Sequence, residues 1–204
     1  MITLDKGADG LWLVTINRPD KANSLTREML NELADIAEAA TEARAFVLTG
    51  EGKVFSAGMD LDAAKTGLAT DPVWERLSGA IAALPGLSIA ALNGTVAGGA
   101  IGMVLACDLR VAVPSTKIFY PVMRLGFLPQ PSDPGRLRQL IGPSRAKIIL
   151  MAGQKIEAEQ ALHWGLFDQV VEKDALLDTA RDLATDTLTA TAEHAAAIKA
   201  LCTR

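Results

Sequence analysis

The sequence predicts an α/β domain, and three observations carry the prediction. Short apolar runs such as Ala45–Thr49 and Ser88–Leu92 read as buried strands, strand pairs alternate with segments that place apolar residues at helical spacing, and no long repeat interrupts the order. With 204 residues and 50 % hydrophobic side chains, the chain is long enough for one sizeable core. A net charge of −4, with no basic run and no interleaving of basic and aromatic residues, argues against nucleic acid as a partner. Cys107 and Cys202 have neither metal-ligand spacing nor a disulfide pattern, and the N-terminus lacks the basic and apolar regions of a leader. The expected compartment is the cytoplasm. Leu84–Cys107 carries no charge over a length that could span a membrane, but Pro85, five glycines and Asn93 break it into strand, loop and helix, so it reads as buried core.

Taken in order, Ile2–Lys6 and Leu11–Asn17 flank Gly7-Ala8-Asp9-Gly10 and predict a hairpin. Arg18-Pro19-Asp20 turns the chain. From about Thr26, Met29, Leu30, Leu33, Ile36, Ala37 and Ala40 recur with helical spacing, so one helix face packs inward. Ala45–Thr49 is a strand, a turn at Gly50–Lys53 follows, and Phe55–Leu61 leaves it as a loop. Asp71-Pro72 opens a helix that Pro85-Gly86 stops; Asp62–Thr70 before it reads as a mobile segment. Leu109–Val113 and Ile118–Tyr120 bracket Pro114–Lys117 and predict a second hairpin. Pro121–Pro134 is irregular, Ser132 or Asp133 can cap a helix containing Leu137, Leu140 and Ile141, and Gly142-Pro143-Ser144 starts another over Arg145–Ala152. Glu157–Trp164 is a helix closed by Gly165, Leu166–Val171 is strand-like, and Asp174 to about Leu201 forms one or two Ala-rich helices. Residues 1–172 are the expected core domain, and 173–204 a helical segment of the same domain.

The stretch Asn93–Asp108 organises the rest. A strand that ends in Asn-Gly, crosses Gly98-Gly99 and opens a helix brings unhindered backbone N–H groups to a helix N-terminus, which suits an anion. Three readings are open. The small residues can simply let the helix pack close to the sheet; they can form a dinucleotide fingerprint, although Ala97 stands at its first glycine and no acidic residue lies ~20 positions on; or they can supply one donor of an oxyanion hole. The last reading needs a second donor, and Phe55-Ser56-Ala57-Gly58-Met59-Asp60-Leu61 is its expected source.

Those two motifs, with Asn17-Arg18-Pro19-Asp20-Lys21-Ala22-Asn23-Ser24-Leu25 before them and Ala161-x-x-x-Gly165-Leu166-Phe167-x-x-Val170-Val171 after, resemble the enoyl-CoA hydratase/isomerase (crotonase) superfamily over roughly residues 10–172. The resemblance implies a crotonase-like spiral of β-β-α turns with C-terminal helices, the family's last helical extension being missing. It also implies a homotrimer or hexamer, an acyl-CoA substrate, and no cofactor beyond the coenzyme A that the substrate carries. No metal is expected.

Carried over by position, the resemblance makes the Met59 and Gly99 amides the oxyanion-hole donors. A fixed N–H aimed at a developing oxyanion is worth roughly 3–4 kcal/mol and needs no particular side chain. The same carry-over assigns coenzyme A contacts to Lys21, Ala22, Ser56 and Ala57, with the pantetheine passing Asp60 and Leu61. Gly98, Val122 and Leu125 join the expected acyl pocket. Asp60 and Asp108 occupy positions where the resemblance implies structural aspartates.

The acid–base groups depart from the pattern. The resemblance places two glutamates of the hydratases at Gly102 and Val122, and neither residue can transfer a proton. Candidate replacements are Gln130, which only donates and accepts hydrogen bonds, Asp133, and Glu75 on the helix after Asp71; Tyr120 ends the second strand pair. His163 and His194 lie far from the motifs. Isomerase-like or other enolate chemistry is therefore expected ahead of standard hydration. The alternative is an acyl-CoA-binding protein with this fold and little turnover. A nucleophilic hydrolase is third, because there is no Gly-x-Ser-x-Gly and no histidine near Ser56.

Overall fold

The computed structural model describes residues 1–64 and 67–202. In chain order the strands and helices are β1 (Ile2–Lys6), β2 (Leu11–Ile16), α1 (Arg27–Ala39), β3 (Ala45–Gly50), β4 (Val54–Ser56), α2 (Leu61–Ala64), α3 (Val73–Ala82), β5 (Leu87–Leu92), β6 (Thr95–Ala97) and α4 (Ala100–Ala106). They continue with β7 (Leu109–Ala112), β8 (Lys117–Phe119), α5 (Val122–Leu125), α6 (Asp133–Leu150), β9 (Ile156–Glu157), α7 (Ala158–Trp164), β10 (Gln169–Val170), α8 (Leu176–Thr189) and α9 (Ala192–Cys202). Residues 65 and 66 of the segment expected to be mobile lie outside the described residues. On either side of them stand α2 and a 3-10 turn over Leu68–Thr70.

Two sheets organise these elements. The larger has the order β1-β2-β3-β5-β7-β10, and the smaller β4-β6-β8-β9. In the larger sheet β1 and β2 form the predicted antiparallel hairpin and every later pairing is parallel. Each of the strand pairs β3/β4, β5/β6 and β7/β8 sends its first strand into the large sheet and its second into the small one, and helices then return the chain. The result is a spiral of β-β-α turns.

This topology corrects the second predicted hairpin. β7 and β8 lie next to each other in sequence but do not pair, because β10 occupies the edge of β7 and β8 runs parallel to β6 in the other sheet. The connecting turn is pinned to the end of β5: Val113 N donates to Leu92 O at 3.1 Å, and the Thr116 hydroxyl donates to the same oxygen at 3.2 Å. A Pro-Ser-Thr turn between apolar runs fits a hairpin and a sheet-to-sheet crossing equally well.

The strands of the large sheet are apolar on both faces, as parallel strands are when both faces are covered. Phe46, Leu48, Ala90 and Leu92 face α1, α3 and α4 in the main core, whereas Ala45, Val47, Ile89, Ala91 and Val111 join a second cluster with Leu176, Ala180 and Ala184 of α8. Full burial of one such aliphatic or aromatic side chain contributes about 1.5–3 kcal/mol. The single Ala-rich stretch resolves into two helices, with Ala190 extended between them. The two helices predicted on either side of Gly142 run together as α6, kinked where Gly142 takes φ +79°. The strand-like Leu166–Val171 shortens to the two residues of β10.

Candidate active site

The site forms where the ends of β4 and β6 meet. Asn93, at the end of β5, accepts from Gly50 N at 3.1 Å and its amide group faces the Gly52 and Val54 carbonyls at 3.3 and 3.4 Å. Gly94 then passes so close to the β3–β4 turn that a Cβ there would sit 2.0 Å from Lys53 O. Gly58, at φ +87°, lies against Ala97, where a Cβ would come within 2.6 Å of the carbonyl oxygen. These close approaches carry the chain after β4 and the chain after β6 into one place, and each requires glycine.

The residues that follow are Met59 and Gly99. A bridge between Leu25 and Met59 holds the first: Leu25 N donates to Gly58 O at 2.8 Å, and Asp60 N to Leu25 O at 2.9 Å. On the second strand Gly98 N donates to Phe119 O at 3.1 Å. Among the described residues, the amides of Met59 and Gly99 themselves donate no hydrogen bond. Gly99 immediately precedes α4, so its N–H also belongs to the set that a helix N-terminus leaves without partners.

Both residues line a cavity of about 180 Å³. Of the residues singled out in the sequence, the structure gathers Ala57, Leu61, Gly98, Val122, Leu125 and Gln130 around Met59 and Gly99. Trp74, Ala69, Ala97, Phe119, Tyr120, Pro121, Phe127 and Leu128 complete the wall, which makes it largely apolar. Trp74 carries no motif signal. It enters because the six-membered side of its indole lies 3.1 Å from where a Cβ on Gly99 would be, while its Nε1 donates to Leu68 O at 2.8 Å. The pairing of a tryptophan on α3 with a glycine 25 positions later appears only after folding.

Beneath the Tyr120 side of the cavity is a buried polar cluster. The Tyr120 hydroxyl donates to Asp133 Oδ2 at 3.0 Å and accepts from Gln130 N at 3.2 Å. Gln130 Nε2 reaches Ala69 O at 3.4 Å. Burial pushes the Asp133 carboxyl up to about 7, an effect reinforced by Glu75 and opposed by the Tyr120 hydrogen bond and Arg136. Burial also raises the Tyr120 phenol well above its usual value. Asp133 Oδ1 and Arg136 Nη1 stand 3.9 Å apart, and neither makes a hydrogen bond among the described residues.

Asp133 does not cap α6. Ser132 occupies the N-cap position without a side-chain bond into the helix; instead its N–H and hydroxyl donate to the two Glu75 oxygens at 3.0 and 2.7 Å. Glu75 is thus engaged at the start of α6 and is not part of the cavity wall.

The remaining predicted residues support the loops from outside the wall. Asp60 accepts from Arg18 at 2.7 Å and from the amides of Asp62 and Ala63 at 3.0 and 3.3 Å, and the Arg18 hydrogen bond holds its carboxyl below the usual range. Ser56 is fully buried: its hydroxyl donates to Asn23 O at 2.8 Å and accepts from Gly58 N at 3.1 Å. The hydroxyl is thus fixed within the scaffold rather than presented to the cavity. Ala57 N donates to Ala22 O at 2.9 Å, so the Lys21-Ala22 loop runs beside the Ala57 loop. Ala22 and Asn23 both adopt left-handed φ, 50° and 54°. Asp108 accepts from Ser88 and pairs with Lys199 at 2.7 Å, tying β5 to α9. His163 and His194 are exposed.

Fold and site together define a β-β-α spiral protein with an apolar cavity lined by Met59 and Gly99. A sequence profile of the enoyl-CoA hydratase/isomerase family matches residues 6–204, and the chain belongs to that family. It is 33 % identical over 187 residues to a 1,2-epoxyphenylacetyl-CoA isomerase of Escherichia coli K12, covering 86 % of this chain and 71 % of that protein. Against a short-chain-enoyl-CoA hydratase of Clostridium acetobutylicum, identity is 34 % over 185 residues, covering 84 % of this chain and 69 % of that protein. A crystal structure of an enoyl-CoA hydratase from Bacillus anthracis superimposes with a TM-score of 0.91 at 28 % identity, covering all of this chain and 82 % of that one. Among the described residues no helix is long and apolar enough to cross a membrane.

Proposed function

We propose that the protein binds an acyl-CoA thioester in the cavity and stabilises its enolate between the Met59 and Gly99 amides. The observation that carries this reading is that Met59 and Gly99 line an apolar cavity and that, among the described residues, their amides donate no hydrogen bond. A thioester oxygen gains negative charge as its α-proton leaves, and donors already in position meet that charge without reorganising. The names of the relatives, a CoA-ester isomerase and an enoyl-CoA hydratase, agree with this substrate class. Coenzyme A enters along the Lys21-Ala22 and Ser56-Ala57 loops, with the pantetheine passing Leu61 on the cavity wall, while Asp60, expected beside it, is held by Arg18 outside that wall.

Isomerase-like or other enolate chemistry is favoured over standard hydration. Residues 102 and 122 are glycine and valine, so two carboxylates cannot activate and deliver water from those positions. The same two residues motivate the second reading, an acyl-CoA-binding protein with little turnover.

Calorimetry with acetoacetyl-CoA, followed by incubation with crotonyl-CoA and 3-enoyl-CoA in deuterated buffer, tests both. Binding accompanied by deuterium uptake or double-bond movement is the expected result. Binding without either favours the second reading, and absence of binding contradicts both.

A further inference from the structure

Gly102 lies on α4, where the resemblance implies a glutamate, and the space its side chain would fill is not empty. A Cβ on Gly102 would stand 2.9 Å from Asp133 Oδ1 and 3.3 Å from Oδ2. The Asp133 carboxylate, coming from the first turn of α6, occupies the volume that a larger residue at 102 would need. It is itself fully buried, so it reaches the cavity only through a neighbour. That neighbour is Tyr120, which lines the cavity and donates its hydroxyl proton to Asp133 Oδ2.

Resting on the thioester reading above, we propose that Tyr120 and Asp133 form a two-step proton relay that removes and returns the α-proton of the bound acyl group. In the forward step the Cα–H bond breaks and its proton passes to the Tyr120 oxygen, as the Tyr120 O–H bond breaks and that proton passes to Asp133. The electron pair left by the C–H bond moves into the thioester and resides on its oxygen, between the Met59 and Gly99 amides. Reprotonation at the same or a vinylogous carbon runs the relay backwards, so no external oxidant or co-reactant enters. Tyr120 is the catalytic residue and Asp133 the positioning residue behind it.

The surroundings suit both states of Asp133. From its own helix, Arg136 Nη1 stands 3.9 Å from Oδ1; from α3, Glu75 contributes negative charge while held by Ser132; and Tyr120 supplies the hydrogen bond. These are the charged and titratable groups that face the carboxyl, and burial outweighs the lowering effects of Tyr120 and Arg136. A carboxyl that titrates near neutrality is matched to proton transfer at neutral pH. Gln130, whose amide N–H donates to the phenol oxygen, keeps that oxygen oriented.

The test is deuterium wash-in at Cα of butyryl-CoA, measured against pH, with acetoacetyl-CoA affinity measured in parallel by calorimetry. Wild-type exchange is expected to rise with pH through a midpoint near 7 and to level off above it, once Asp133 is ionised. Asp133→Asn and Tyr120→Phe are each expected to lose at least ~100-fold in exchange while binding stays within about threefold, and Asp133→Glu to recover part of the rate with a displaced pH midpoint. Tyr120→Phe keeps the ring and decides the question alone if Asp133→Asn does not fold. Exchange at the wild-type rate in either variant overturns the relay. Wild-type binding without exchange overturns the relay while leaving the thioester site standing; failure of the wild type to bind removes the thioester site itself.

Discussion

The Asp133 carboxyl occupies the space that a side chain at Gly102 would need. Burial penalises the charged form of a carboxyl, and the raised value of Asp133 expresses that cost as a preference for the neutral form. The sign follows directly. Because the folded-state value lies above the unfolded one near 3.8, the folded protein binds the extra proton between about pH 4 and 7 and loses stability as pH rises across that window. Asp133→Asn removes the term, so urea denaturation should show wild type falling relative to the variant by on the order of 3 kcal/mol from pH 4 to pH 7. A constant difference across that range contradicts the assignment. Gly102→Ala should be destabilising, because its Cβ must displace the carboxylate from its place beside Tyr120. Met59 and Gly99, which line the cavity, are reached in the sequence through the family resemblance of the short glycine-bearing motifs that hold them. The contact between Gly102 and Asp133 is not, since 31 positions and three elements, β7, β8 and α5, separate them.

At the scale of elements, α6 is anchored by its neighbour. Glu75 on α3 receives the Ser132 amide and hydroxyl, so α3 and the start of α6 are tied beside the cavity. Glu75→Ala should cost about 1 kcal/mol in urea denaturation, as loss of a helix cap does, and should perturb Gln130 and Tyr120 through the shifted end of α6. Sequence identifies the beginning of α6 but not its partner, because the capping carboxylate comes from another helix. Gly94→Ala is a sharper test of the turn after β5: a Cβ placed 2.0 Å from Lys53 O cannot be accommodated, and the expected outcome is loss of the ordered β4–β6 pairing and of ligand binding together. The mistaken hairpin at β7 and β8 belongs to this scale as well. Local pattern shows that two strands are there, and only the parallel neighbours β6 and β10 determine which sheet each one joins.

For the whole molecule, two sheets fed alternately by one spiral place three strand ends of the small sheet next to helix starts, and the cavity lies where β4, β6 and β8 end. α8 seals the opposite face of the large sheet, with Leu176, Ala180 and Ala184 packed on Val47, Ile89 and Val111. Leu176→Ala should cost about 2–4 kcal/mol in stability without changing ligand affinity in the folded fraction, since the cavity lies on the other side of the sheet. The central claim is that two backbone amides hold an enolate. It is tested most directly by the ultraviolet absorption of acetoacetyl-CoA bound to the protein at neutral pH. The account predicts the enolate band for the bound ligand at a pH where the free thioester is in its keto form, and a ligand that binds yet keeps the keto spectrum would contradict it.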